Sequence, residues 1–113
     1  MHEMALCHSL VDLIEAERAA RGFAAVSRVR VAIGAFANVE PEALRFGFEI
    51  ATRGTAVEGA ELEFDLVPAN AWCMTCGACR VIAKRGDACP DCGGSQLMLQ
   101  TGEELRLAEL EVH

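Results

Sequence analysis

Two pairs of cysteines constrain this chain more than any other feature of its sequence. Cys73 and Cys76 form one Cys-x2-Cys pair, and Cys89 and Cys92 form a second after twelve intervening residues. Two such turns facing each other make the tetrahedral four-sulfur site that Zn²⁺ accepts. In a chain without an export signal, this spacing is typical of a metal site and not of a disulfide framework. Because protein fills all four positions, the predicted zinc is structural and not hydrolytic.

Two alternatives stay open at these cysteines. Cys79 makes a second, overlapping pair with Cys76, and that pair could face the downstream cysteines instead. We favour the pair of Cys73 and Cys76 because Trp72 offers an apolar wall beside it, which leaves Cys79 as a spare thiol. Paired cysteines also hold a single iron in rubredoxin-like centres, but those lie in aromatic-rich pockets. With Trp72 as the available aromatic residue, zinc is the expected metal.

The spacing of apolar residues predicts helices and strands outside this region. A period of 3.6 predicts helices over Met4–Arg21 and from Pro41 to about Gly54. Alternation predicts strands over Arg28–Gly34, Glu61–Val67 and Glu103–Val112. These elements together predict two helices against one small sheet.

The segment Pro68–Gln100 shows no sustained period and contains few large apolar side chains. A segment of this size cannot form a stable core alone, so a structural metal would supply what the core lacks. We therefore predict an α+β fold, in which a small mixed β-sheet of about three strands packs against two helices. Residues 1–69 and 101–113 form a discontinuous α/β domain, and residues 70–100 form an inserted four-cysteine zinc ribbon.

Charge and hydropathy argue against several classes of partner. Ten basic against seventeen acidic side chains leave a formal net charge of -7, which disfavours nucleic acid. Apolar runs of about four residues fall far short of the roughly 20 that span a bilayer. No basic stretch followed by an apolar one marks the chain for export, so we expect it in the cytoplasm. No phosphate loop or nucleophile–base pair is evident, so we do not expect an enzyme.

The first three residues, Met1, His2 and Glu3, form a second candidate metal site. Methionine is generally retained before a large residue, so the amine of Met1 is expected to remain free. That amine, the imidazole of His2 and the main-chain nitrogen of His2 can close small chelate rings on one metal ion. Such a nitrogen set favours Cu²⁺ or Ni²⁺ in a square-planar or tetragonal arrangement.

The order of these features resembles the HypA/HybF family of nickel metallochaperones for hydrogenase maturation, over essentially the whole chain. The Met-His-Glu start precedes an amphipathic helix, and a strand ends at Ile33-Gly34. The segment from Trp72 to Cys76 and the Cys-Pro-Asp-Cys sequence ending at Cys92 follow, before a final strand that starts Thr-Gly-Glu-Glu-Leu. Cys79 is an addition to the family pattern.

The resemblance implies a fold, two metals and a set of partners. It implies that Ni²⁺, the transported cargo, binds His2 and the main-chain nitrogens of the first three residues. It assigns structural Zn²⁺ to Cys73, Cys76, Cys89 and Cys92. It implies delivery to the [NiFe]-hydrogenase large-subunit precursor together with a HypB-type GTPase, by a monomer or weak homodimer with no nucleic-acid or membrane partner. Competing interpretations are a zinc-ribbon module that binds nucleic acid or protein, and a rubredoxin-like electron carrier.

Overall fold

Two helices and six strands make up the part of the chain that the structure describes. A computed structural model describes the backbone of residues 2–113 and the side chains of residues 3–113. The strands form two three-stranded sheets, so the predicted α+β class with two helices and a small sheet is confirmed. The second sheet was not predicted. The elements are α1 (His2–Arg21), β1 (Val26–Gly34), α2 (Pro41–Ala51), β2 (Glu61–Val67), β3 (Asn70–Cys73), β4 (Ala78–Val81), β5 (Leu97–Thr101) and β6 (Leu105–Val112).

The first sheet has the strand order β2-β1-β6. The N–H of Gly34, at the end of β1, donates to the carbonyl of Glu104, just before β6, at 2.7 Å. At the other end of the pair, the N–H of His113 donates to the carbonyl of Ala25 at 3.0 Å, so β1 and β6 run antiparallel. Strands β1 and β2 are joined through α2 and finish at the same edge, where the N–H of Ala35 donates to the Val67 carbonyl. The sheet is therefore mixed.

The chain divides into two compact units. One contains the residues up to Val31 together with Val39–Phe64 and Leu107–His113, and the other contains Ala32–Asn38 and Asp65–Arg106. The predicted domains, residues 1–69 with 101–113 and residues 70–100, concern independent folding and stay a prediction.

The first unit has a conventional apolar core. Its fully buried side chains include Ile14 of α1, Val29 of β1 and Leu44 of α2. The two helices approach closely at Gly47, where a Cβ atom would come within 3.0 Å of the Cys7 Sγ. Cys7 itself is fully buried, and its Sγ–H donates to the carbonyl of Leu44 at 3.2 Å. Cys7 is thus a packing residue between the helices.

The second unit is built on an antiparallel sheet with β3 at its centre. Cys73 of β3 pairs with Ala78 of β4, and the neighbouring Trp72 pairs with Cys79 of β4 and with Met98 of β5. Successive side chains point to opposite faces of a strand. Cys73 is accordingly buried on one face, while Trp72 on the other is 39% exposed. The prediction that Trp72 forms a wall beside Cys73 is wrong for this reason.

The chain segments that lead into and out of this sheet pack closely against each other through their backbones. A Cβ atom at Gly34 would overlap the carbonyl of Gly102. Gly102 has a φ of +120° and lies against Ala69, to whose Cα a Cβ at Gly102 would come within 2.7 Å. Beside them the hydroxyl of Thr101 donates to the Pro68 carbonyl at 2.9 Å. Larger side chains at these glycines would push the two chain segments apart.

Candidate metal centre

Four cysteine sulfur atoms meet at one end of the second sheet. The sulfurs of Cys73, Cys76, Cys89 and Cys92 all lie within 4.8 Å of one another. Sγ of Cys73 lies 3.7 Å from Sγ of Cys92, and Sγ of Cys76 lies 3.9 Å from Sγ of Cys89. These separations are far longer than the roughly 2.05 Å of a disulfide bond. Each close pair joins one cysteine of the first turn to one of the second.

The arrangement fits a tetrahedral metal ion. Four sulfurs at about 2.3 Å from a central ion are separated by about 3.8 Å from each other, as tetrahedral geometry requires. The sulfur–sulfur distances of 3.7 and 3.9 Å lie on either side of that value. The donor set is therefore suited to Zn²⁺, and no position is left over for a water molecule if all four sulfurs bind.

A tight turn positions both cysteines of the first pair. Gly77, with a φ of +65°, closes the turn by donating its N–H to the Cys73 carbonyl at 2.8 Å. The N–H of Cys76 points at the Cys73 sulfur, 3.4 Å away. A positive φ is easily adopted by glycine, which explains why this residue follows the second cysteine of the pair.

The second turn repeats this design. Gly93, with a φ of +73°, donates its N–H to the Cys89 carbonyl at 2.9 Å. The N–H of Gly94 lies 3.4 Å from the Cys92 sulfur, and the Gly94 carbonyl accepts from the Cys89 N–H at 2.9 Å. Both turns therefore direct backbone N–H groups toward sulfur, which stabilises the thiolate form that binds metal.

The thiols of the cluster differ in pKa. Backbone N–H groups of Cys92 and then Asp91 outweigh burial and lower the pKa of the Cys89 thiol to about 6. Hydrogen bonds with the side chains of Cys92 and Cys73, together with burial, raise the pKa of Cys76 to about 12. Cysteines this close cannot all become thiolates unless a cation offsets their mutual repulsion. The cluster is thus arranged to exchange protons for a metal ion.

Cys79 lies outside the cluster. It is exposed on β4, where it pairs with Trp72 on the face opposite Cys73. The overlapping pair of Cys76 and Cys79 is not brought together with the downstream cysteines. Alternation along β4 is the physical reason, because it carries the Cys79 side chain away from the other four sulfurs.

The predicted nickel ligands fall at the start of the chain. Met1 lies outside the described residues, and of His2 the structure describes the backbone, which begins α1. The Glu3 side chain is half-buried. The predicted nickel set therefore stays a prediction. His8 and His113 are both exposed.

Sequence reasoning missed two charged residues beside the sulfurs. Nε of Arg80 lies 2.8 Å from Oδ2 of Asp91, which stands between the two cysteines of the second turn. The alternation of β4 could have suggested Arg80, because it places neighbours of Cys79 on the sulfur-bearing face. This alternation could be used only if β4 had first been recognised as a strand.

The fold and the four-sulfur cluster define a small α+β protein with a built site for one metal ion. A family model described as "Hydrogenase/urease nickel incorporation, metallochaperone, hypA" matches residues 1–112. The chain belongs to the HypA family, the nickel-incorporation metallochaperones of hydrogenase maturation. The predicted resemblance is thereby confirmed.

Individual relatives agree with this assignment. The chain is 49% identical over 112 residues to the hydrogenase maturation factor HypA of Acidithiobacillus ferrooxidans, with 99% of each chain covered. Its fold matches the solution structure of the Ni metallochaperone HypA from Helicobacter pylori with a TM-score of 0.70 and 22% identity, covering 97% of this chain and 96% of that one. A second solution structure, of a HypA protein, matches with a TM-score of 0.75 and 24% identity, covering 100% and 97%. Within the described residues, neither helix has the length and apolar character needed to cross a bilayer.

Proposed function

We propose that this protein binds Ni²⁺ at its N-terminus and delivers it to the large-subunit precursor of [NiFe]-hydrogenase. The observation that carries the proposal is the family match over residues 1–112, which includes the start of the chain as well as the cysteines. Nickel is the cargo in this proposal, and the protein is a carrier and not a catalyst. Its working partners are the precursor and a HypB-type GTPase, and it acts in the cytoplasm as a monomer or weak homodimer.

The proposed nickel ligands are the amine of Met1, the imidazole and main-chain nitrogen of His2, and the main-chain nitrogen of Glu3. Helix α1 begins at His2. The first N–H groups of an α-helix have no acceptor within the helix, so metal binding there breaks no hydrogen bond of the helical ladder. A carrier must release its metal as well as hold it, and nitrogen ligands that protons can displace suit this role.

Zinc at Cys73, Cys76, Cys89 and Cys92 has a separate, structural role in the proposal. The sulfur separations fit tetrahedral coordination, and Cys73 and Cys89 are 0% and 3% exposed. A closed site with four protein ligands stabilises a fold and leaves no position for hydrolytic chemistry. The two proposed metals thus have different ligands and different tasks.

The nickel site is tested by titrating Ni²⁺ into the zinc-loaded protein by calorimetry. We expect His2→Ala to lose most of the nickel affinity, because it removes the imidazole. Two or three residues added ahead of Met1 should have the same effect, since they move the amine out of chelating distance. His8→Ala is the matched control, because His8 is exposed and lies on the same helix. It should bind as wild type does, and every variant should keep its zinc and its circular dichroism spectrum.

The pH dependence sharpens this test. Protons compete with Ni²⁺ for imidazole and amine nitrogens, so nickel binding should weaken as the pH falls from about 7.5 to 6. If the His2→Ala or extended protein bound Ni²⁺ with wild-type affinity, the nickel site would have to lie at other residues. Purified protein that is red and contains iron would instead favour the electron-carrier interpretation.

A further inference from the structure

Arg80 lies on the sulfur-bearing face of the second sheet. In the pairing of β3 with β4, Arg80 is opposite Ala71, while its neighbour Cys79 is opposite Trp72. Directly paired residues of neighbouring strands share a face. Ala71 shares the buried face of β3 with Cys73, because the two are separated by one residue. The register therefore directs the Arg80 side chain toward the cysteines and the Cys79 thiol away from them.

The Arg80 guanidinium contacts the second cysteine turn. Its Nε lies 2.8 Å from Oδ2 of Asp91 in the second turn, between Cys89 and Cys92. The Arg80 side chain is 27% exposed, whereas that of Asp91 is 61% exposed. Burial alone would lower the pKa of Arg80, but attraction from Asp91 and from the sulfurs of Cys76 and Cys89 raises it.

Four thiolates around one divalent ion retain a net charge of about −2. A cation held beside these sulfurs offsets part of that charge, so the sulfurs react less readily with electrophiles. We propose that Arg80 is a positioning residue of the zinc centre, which offsets the negative charge of the thiolates and slows the loss of zinc. This inference rests on the zinc proposed above.

The proposal is tested by following zinc release from the purified full-length protein. N-ethylmaleimide alkylates the cysteines at constant pH, and a colorimetric zinc chelator records the ion as it leaves. We expect Arg80→Gln to release zinc faster than wild type by about tenfold, the lower end of the effect that neighbours of metal ligands have on metal affinity. Arg80→Lys keeps the charge and should restore most of the slow release. Lys84→Gln is the matched control, since it removes the same charge from an exposed position of the same unit.

The variant Asp91→Asn distinguishes the effect of the Arg80 charge on the sulfurs from mechanical bracing of the second turn by the Arg80–Asp91 ion pair. This variant breaks the ion pair between β4 and the second turn but keeps the cation beside the sulfurs, and Asp91 is exposed enough to tolerate the change. Release from Asp91→Asn that is no faster than from wild type supports the charge effect. Release that is faster than from wild type overturns it, because loss of the ion pair alone would then explain the faster loss of zinc. This measurement does not depend on whether Arg80→Gln folds.

Two further outcomes would contradict the role of Arg80. One is Arg80→Gln releasing zinc at the rate of Lys84→Gln, and the other is Arg80→Lys releasing it as fast as Arg80→Gln. Zinc content is measured on the wild-type protein before alkylation. A wild-type protein without zinc contradicts the structural-zinc proposal itself, so the two failures can be distinguished.

Discussion

Each of the two units of this protein is stabilised internally in a different way. The first contains large side chains that are fully buried, among them Ile14, Val29 and Leu44. In the second, Ile33 of β1 is a large buried side chain, but the buried residues within 65–106 are small, and two of them are cysteines: Ala69, Ala71, Cys73, Cys89 and Gly102. An apolar core spreads its stabilisation over many contacts, whereas a four-sulfur centre concentrates it in one ion. The units should therefore respond very differently to the loss of one side chain.

The largest effect is expected from Cys92→Ser. Removing one of four sulfurs leaves an incomplete site, so zinc content should fall well below one ion per chain. Residues from about 70 to 99 should lose their order, because little apolar burial remains to hold them. The first unit should keep its own apolar packing. Zinc analysis and a two-dimensional amide NMR spectrum report these changes, and an ordered ribbon without zinc would contradict the comparison.

A smaller, graded effect is expected from Leu44→Ala in the first unit. Leu44 is fully buried, and such truncations reduce the free energy of unfolding by about 2–5 kcal/mol. Zinc stoichiometry should not change, because the sulfur ligands belong to the other unit. Urea denaturation followed by circular dichroism measures the loss. The control is Leu66→Ala, since Leu66 is 73% exposed and its truncation should change stability by less than about 0.5 kcal/mol.

The smallest effect is expected from Cys79→Ser. Cys79 is exposed and points away from the four sulfurs. Zinc content should stay near one ion per chain, and the NMR shifts should change mainly around Trp72. Loss of zinc in this variant would show that Cys79 replaces one of the four proposed ligands.

Long periodic elements were the predictable part of the fold. Strand β2 spans Glu61–Val67, the range that alternation predicts. Helix α1 ends at Arg21 as predicted, where Gly22 adopts a φ of +78° and donates its N–H to the Arg18 carbonyl. Alternation along β2 would place Leu66 on the same face as the buried Leu62, yet Leu66 is exposed. Helix propensity and turn chemistry act over neighbouring residues, so sequence alone reports them well.

The second sheet could not be predicted in the same way. Strands β3 and β4 contain four residues each, which is too short for alternation to stand out. Their pairing depends on contacts between distant parts of the chain, and it decides where Trp72, Cys79 and Arg80 point. The metal ligands could be predicted without knowing any strand, because the spacing of cysteines along the chain is itself a requirement of metal binding. The residues that surround the ligands could be identified only from the pairing register of the strands.

The contact of Gly34, Gly102 and Ala69 has a consequence for how this chain can vary in length. Because Ala69 and Gly102 touch, the two ends of the intervening segment are neighbours in space. Residues added at exposed turns of that segment, such as the one at Gly86, lengthen a loop whose ends are already joined, and the entropy cost of a longer loop grows slowly. Gly34 and Gly102 themselves allow no such freedom. The segment between Ala69 and Gly102 can therefore be enlarged, while Gly34 and Gly102, which pack where it closes, must remain small.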